Sequence, residues 1–420
     1  MRYLQFVLVV IFFVAPLFYN KSGKTSEPKR TEVKNKSNKK SDSLAIFNKR
    51  ILPIFQSQKP SSCTECHLSG VDLKDYIQED QKKTFASLVK AKLIDVEKPL
   101  DSKILKFIQR QPNKPNLITK KVRQQEYKAF RAWILAALKE PELLAAKSNT
   151  LAGPQLSDDV IRHARKDRVL TSFIENIWSE VGRCAACHSP DRNQKQVRRH
   201  GKEMSWIILN SPVKTMQYMI DQKLIDVNQP EKSLLITKPT MQVKHGGGKK
   251  MMVGDQAYKQ FRRFLDDYSA VINKKYQSAD DLPQQNNEVS FATEIWLKIT
   301  NVPPRYNRML MQVDLYRKTD KGWSTFRVAS TDHPVFGKKR LWQHSLSLTA
   351  PRDSNWSKKI KRKRLPPGRY LIKIYIDKKR KLQKDTTAQL GRNEFVGQVK
   401  VQSRWRVGHQ RMTVVKFPRR

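Results

Sequence analysis

The chain has 420 residues, room for two to four domains, and 38% of them are hydrophobic, with eight Trp and seventeen Phe, which excludes a wholly disordered protein. Lysine and arginine number 83 against 38 aspartates and glutamates, a formal net charge of +45. Positive charge on that scale points to polyanions, anionic surfaces or acidic proteins as partners, set against the plainer reading of general basicity.

Arg2 is followed by an apolar run from Tyr3 to Tyr19, seventeen residues without a charge. The run predicts a signal-peptide core or a short membrane anchor over residues 1–19, and the lack of a small-x-small cleavage site favours the anchor. Lys21, Lys24, Lys29 and Arg30 come next, a flank that the positive-inside rule would place in the cytoplasm. Cleavage therefore stays open. Residues 20–43 are rich in Lys, Ser, Asn and Thr and read as a polar basic tether.

Two short strings then carry the chemistry: Cys63-Thr64-Glu65-Cys66-His67 and Cys184-Ala185-Ala186-Cys187-His188. Cys-x-x-Cys-His is the attachment pattern of c-type haem. Two thiols three residues apart can each bond one vinyl group of the porphyrin, and the adjacent histidine is then held against the iron. The chain has four cysteines and the two strings use all of them. A zinc site would set its cysteine pairs roughly 15–20 residues apart, and a thioredoxin-like pair would follow a strand and lack the histidine. The expectation is two covalently attached c-type haems, with His67 and His188 as proximal ligands. Such attachment takes place outside the cytoplasm, which argues against a nucleic-acid partner.

The segments around the strings are copies. Lys92-Leu93-Ile94-Asp95-Val96 recurs as Lys223-Leu224-Ile225-Asp226-Val227, an offset of 131. At the same offset Pro99 meets Pro230, Ser102 meets Ser233, Tyr127 meets Tyr258 and Phe130 meets Phe261. Helix-like spacing precedes each string: Leu44, Phe47, Ile51, Ile54 and Phe55, then Leu170, Phe173, Ile174, Ile177 and Trp178. Each copy closes on a second helical pattern, around Phe130 and Trp133 or Phe261 and Phe264, whose aromatics read as core. On these features residues 44–142 and 160–275 resemble class I cytochrome c, a family in which first and last helices cross beside the haem.

An electron-transfer haem needs a second axial ligand, Met or His. The second copy offers Met241, His245, Met251 and Met252 around Lys238-Pro239-Thr240-Met241-Gln242-Val243-Lys244-His245-Gly246-Gly247-Gly248. Glycines let the backbone pass close to a flat cofactor. The stretch resembles the distal segment of planctomycete-type cytochrome c domains over residues 230–265. His245 is the first candidate ligand and Met241 the alternative, set against His245 as an ordinary surface-loop residue. In the first copy Arg110 stands where Met241 does and Lys114 where His245 does, and residues 68–150 contain neither His nor Met. The first haem is thus expected to be five-coordinate, to take Lys114, or to borrow His163 or His200.

From about Val289 the pattern alternates with period two, with strand candidates at 291–299, 309–317, 322–329, 341–349, 369–377, 395–402 and 412–417. Seven short strands suggest an antiparallel sandwich of immunoglobulin-like type. The basic runs Lys358–Arg364 and Lys378–Lys381 are either a docking patch for an anionic partner or solvated loops.

The expected fold is multidomain α plus β: two mainly α cytochrome c-like domains, over 44–148 and 160–281, followed by an all-β immunoglobulin-like sandwich over 289–420. The expected function is that of an exported, membrane-anchored dihaem cytochrome carrying electrons between periplasmic or other extracytoplasmic redox proteins with acidic docking faces. An anionic membrane or polysaccharide surface is a further expected partner. The alternative is a dihaem peroxidase-like enzyme, or a gas- or peroxide-binding protein, using an open site on the first haem.

Overall fold

Helices in the first half form where apolar side chains recur on one face, and both copies wind them in the same way. The computed structural model describes residues 42–56, 61–68, 72–110, 117–190, 194–336 and 339–418, which fall in one compact unit, Asp42–Arg420. The expected leader at 1–19 and nearly all of the tether lie outside the described residues.

In the first copy a helical run over Asp42–Gln56 is wound through its middle, Phe47–Ile51, as a π-turn. Phe47 packs on Trp133 of the Leu117–Ala137 helix with ring centres 5.4 Å apart, and Phe85 and Phe130 close on the same indole at 5.9 and 6.2 Å. In the second copy Lys166–Phe173 runs into a π-turn over Ile174–Trp178, and Phe173 meets Phe264 of the Gln256–Ile272 helix at 5.5 Å. The repeat extends to hydrogen bonds. The N–H groups of Asp95 and Asp226 each donate to a buried serine hydroxyl, Ser102 or Ser233, at 3.0 Å. The two carboxylates in turn each accept the next two free N–H groups along the chain.

The second half forms one eight-stranded sheet: β1 Glu288–Thr300, β2 Leu310–Thr319, β3 Gly322–Trp323, β4 Ala329–Pro334, β5 Leu341–Pro351, β6 Gly368–Ile376, β7 Phe395–Ser403 and β8 Thr413–Lys416. The order is β7-β6-β2-β4-β5-β1-β8, with β3 on β2. Neighbours are antiparallel except β1 and β8, which run parallel. The sheet rolls until its two edges nearly meet, where the hydroxyls of Ser403 and Thr413 lie 2.7 Å apart. Its concave face holds the core, with Leu297, Ile299, Val313, Leu315, Trp342 and Ile374 fully buried.

Two expectations need correction. The C-terminal strands are not an immunoglobulin-like sandwich. That fold needs two stacked antiparallel sheets, whereas these strands share one mixed, nearly closed barrel. Nor does the first half form two cytochrome c-like domains. It is one helical region in which Leu68 of the first copy is buried in the second copy's core. Lys166 donates its N–H to Cys66 O at 3.1 Å, and Lys274 pairs with Asp75 at 2.7 Å. Among the described residues no group of three or more His, Cys, Asp or Glu side chains gathers into a metal-binding pattern that would mark either half as such a domain.

The helical region sits on the convex face of β4 and β5, where Ser330, Asp332, Ser345 and Ser347 are buried polar residues. Asp255 caps the Gln256–Ile272 helix through Tyr258 N at 2.8 Å, and Gln256 N donates to Asp332 Oδ2 at 3.0 Å. Burial pushes the Asp332 carboxyl up to about 6 and raises Asp255 as well, with the charge of Asp332 raising Asp255 further. A carboxyl whose folded pKa exceeds its unfolded value leaves stability intact at low pH and costs more as the pH climbs through that interval. Asp332→Asn keeps an acceptor for Gln256 N–H and removes the charge. It should raise the thermal midpoint, and by more at about pH 7.5 than at about pH 4.5. Equal destabilisation at both pH values would contradict this assignment.

Candidate functional site

The two Cys-x-x-Cys-His strings adopt the same local turn. In the first, a 3₁₀ turn over Cys63–Glu65 leads His67 N–H back to Cys63 O at 3.0 Å. In the second, Cys187 N–H and His188 N–H both donate to Cys184 O at 3.0 Å. All four cysteines are free, with Cys66 and Cys187 exposed. Burial pushes the thiols of Cys63 and Cys184 up to about 11.

The histidines are oriented by their second ring nitrogen. His188 donates Nδ1–H to Met204 O at 2.7 Å, and Trp206 lies beside its ring at 5.7 Å. Burial, then the nearby His245 and Lys238, lowers the His188 pKa and keeps the imidazole neutral, the form a metal takes. His245 donates Nδ1–H to Gly248 O at 2.8 Å. The two rings are parallel within 5°, with centres 6.1 Å apart. Two imidazoles that share one metal ion through bonds of about 2 Å have ring centres about 6 Å apart, a separation this pair meets. The residues present thus fit a haem iron at the second string, with His188 and His245 able to hold it from either side.

The glycine run serves this arrangement. A Cβ on Gly247 would lie 3.0 Å from His245 Cε1, and Gly248 has φ +69°. Met241, the alternative ligand, is 44% exposed, and the structure does not bring it to His188 as it brings His245.

At the first string His67 Nδ1–H donates to the Asp72 carboxylate, and Tyr76 stands edge-on at 5.5 Å. Asp72 was invisible to motif reading, although a carboxylate five residues beyond the histidine of a Cys-x-x-Cys-His string is a signal that could be sought. Of the other ligand candidates, Lys114 lies outside the described residues. His163 is buried with Nε2 at 2.8 Å from Asp267 Oδ1, a carboxylate also held by Arg168 and Tyr276. His200 is exposed at the end of the Gln194–His200 helix. The structure brings neither His163 nor His200 to His67.

The basic runs Lys358–Lys359, Lys361–Arg364 and Lys378–Lys381 are exposed. No described helix is long and apolar enough to cross a membrane. No family model, curated protein or solved structure matches the chain.

In the chain before any cofactor is attached, alkylation should separate the thiols by pH. At about pH 8 a thiol of pKa about 11 is roughly one-thousandth thiolate, so Cys63 and Cys184 should react slowly and speed up tenfold per pH unit towards about 11. Rapid modification of these two cysteines at neutral pH, followed by peptide mass mapping, would contradict the assigned environments.

Proposed function

We propose that the chain is an exported c-type cytochrome that carries two covalently attached haems and transfers electrons between extracytoplasmic redox partners. On this reading Cys63 and Cys66 hold one porphyrin, and Cys184 and Cys187 the other. His67 would hold the first iron, and His188 with His245 would hold the second. The observation that carries the reading is the parallel His188–His245 pair, each ring with Nδ1 tied to a carbonyl and Nε2 left for a metal.

The bound haem would supply one-electron chemistry. The chain's residues would do the rest. Met204 O and Gly248 O fix the tautomers, Trp206 and the buried second core exclude water, and Gly247 leaves room beside the imidazole. The net charge of +45 suits docking on an acidic redox protein or an anionic membrane or polysaccharide surface, at a rate that falls with salt. The N-terminal apolar run would anchor the chain on the periplasmic face of the membrane.

A second reading, a peroxidase-like enzyme or a gas- or peroxide-binding protein, draws on the first string. There the imidazole meets a carboxylate, and residues 68–150 offer no His or Met as a second ligand. Carboxylate partners make a ligating imidazole more basic and favour the oxidised metal.

Low-temperature electron paramagnetic resonance of the oxidised protein tests both. His245→Ala should convert one low-spin signal to high-spin, whereas Met241→Ala should leave the spectrum unchanged. An unaltered spectrum in His245→Ala would overturn the ligand assignment. One high-spin haem already present in the unmodified protein, reacting with peroxide once reduced, would favour the second reading.

A further inference from the structure

The barrel grips the second candidate site from both ends. On the proximal side, Ser179 O, five residues before Cys184, accepts the N–H of Ala292 in β1 at 2.8 Å. Arg183, next to Cys184, donates Nη2–H to Ser347 Oγ of β5 at 2.9 Å, and the same hydroxyl lies 3.2 Å from Glu180 Oε1. On the distal side, the loop that carries His245 ends at Gly254. Here φ is +85°, and a Cβ would lie 1.9 Å from Leu382 O, so only glycine permits the contact. Two residues on, Gln256 donates N–H to Asp332 Oδ2 at 3.0 Å and Nε2–H to Ser330 Oγ at 2.8 Å, both on β4. Register joins the two grips. Ser330 and Ser347 are paired across β4 and β5, so the distal and proximal anchors stand on adjacent strands of one sheet.

A sheet is stiff compared with a glycine-rich loop, and ligand geometry is set by what holds the ligands. The loop from Pro239 to Gly254 is bonded at its start to Thr237 O through Gln242 N–H and Val243 N–H, and is folded at His245–Gly248. It closes through Lys250 N–H and Met251 N–H to Pro239 O at 2.8 and 3.2 Å, so that past Met251 its course depends on what holds its far end. Fixing its far end to β4, while β5 and β1 fix the turn that carries His188, sets how far apart the two imidazoles stand.

We infer that the barrel is a positioning element of the second haem site, a clamp that holds His245 opposite His188 through Gly254 and Gln256 on one side and Arg183 on the other. The inference rests on the proposed haem attachment. It assigns the barrel a part in ligation that the first string does not share, since the contacts just described all belong to the second copy.

The test uses the full haem-loaded chain with variants on the distal anchor. Gly254→Ala forces the loop off Leu382, and Gln256→Ala is a milder change that removes only the side-chain bond to Ser330. Both are read by electron paramagnetic resonance and by titration of the oxidised protein with free imidazole. The expected result is a shift of the second haem toward high-spin and an imidazole affinity raised about tenfold or more in Gly254→Ala, with a smaller change in the same sense in Gln256→Ala. The first haem is the internal control and should keep its signal, which general destabilisation would not spare. Unchanged ligation in both variants, or equal change at both haems, would overturn the clamp. A full-length chain that takes up no covalent haem would overturn the proposed function itself, and the clamp with it.

Discussion

A histidine that ligates a metal through Nε2 almost always has its other ring nitrogen hydrogen-bonded, and that constraint organises the candidate sites. Each of the three has Nδ1 committed: His67 to the Asp72 carboxylate, His188 to Met204 O and His245 to Gly248 O. These bonds fix tautomer and ring plane together. The parallel rings of His188 and His245 follow from them, because the two carbonyls belong to backbone that is itself fixed by turns and by burial. The unlike partners also make the strings unequal.

The second constraint is the polar seam between helices and barrel. Serines, Asp332 and Asp255 lie buried there in place of an apolar contact, and both carboxyls are raised by burial. Buried polar groups are costly unless satisfied, and they fix one relative geometry where apolar surfaces would allow several. A seam of this kind fixes how the helical region sits against the barrel.

Much of the element pattern was legible in the sequence, because burial of one face leaves a period. Alternation placed six of the seven expected strands between Phe291 and Phe417 nearly where they occur, while the seventh, 322–329, is strand only at Gly322–Trp323 and Ala329. Apolar spacing placed the helices around Phe47, Trp133, Phe173 and Phe264. Ala329–Pro334 did not announce itself as a central strand, because Ser330, Thr331, Asp332 and His333 show no apolar alternation while both faces are covered. The sandwich was misread for a related reason. Period two reveals a strand and not its partner, and the parallel pairing of β1 with β8 joins segments more than a hundred residues apart. The separation into two cytochrome c-like domains failed because the repeat is a local signal, while the burial of Leu68 in the second copy's core is a tertiary one. At the site, His67, His188 and His245 could be picked out by residue type and spacing. Met204 O and Gly248 O could not, because a backbone carbonyl leaves no mark in composition. His163 looked available as a ligand only until its pairing with Asp267, 104 residues away, came into view.

The most direct measurement is the intact mass of the exported protein, with peptide mapping of the haem-bearing fragments and a pyridine haemochrome assay. The account predicts a mass increased by two haems, one linked through Cys63 and Cys66 and the other through Cys184 and Cys187. An unmodified mass with four free thiols, from cells competent for c-type haem attachment, would contradict it.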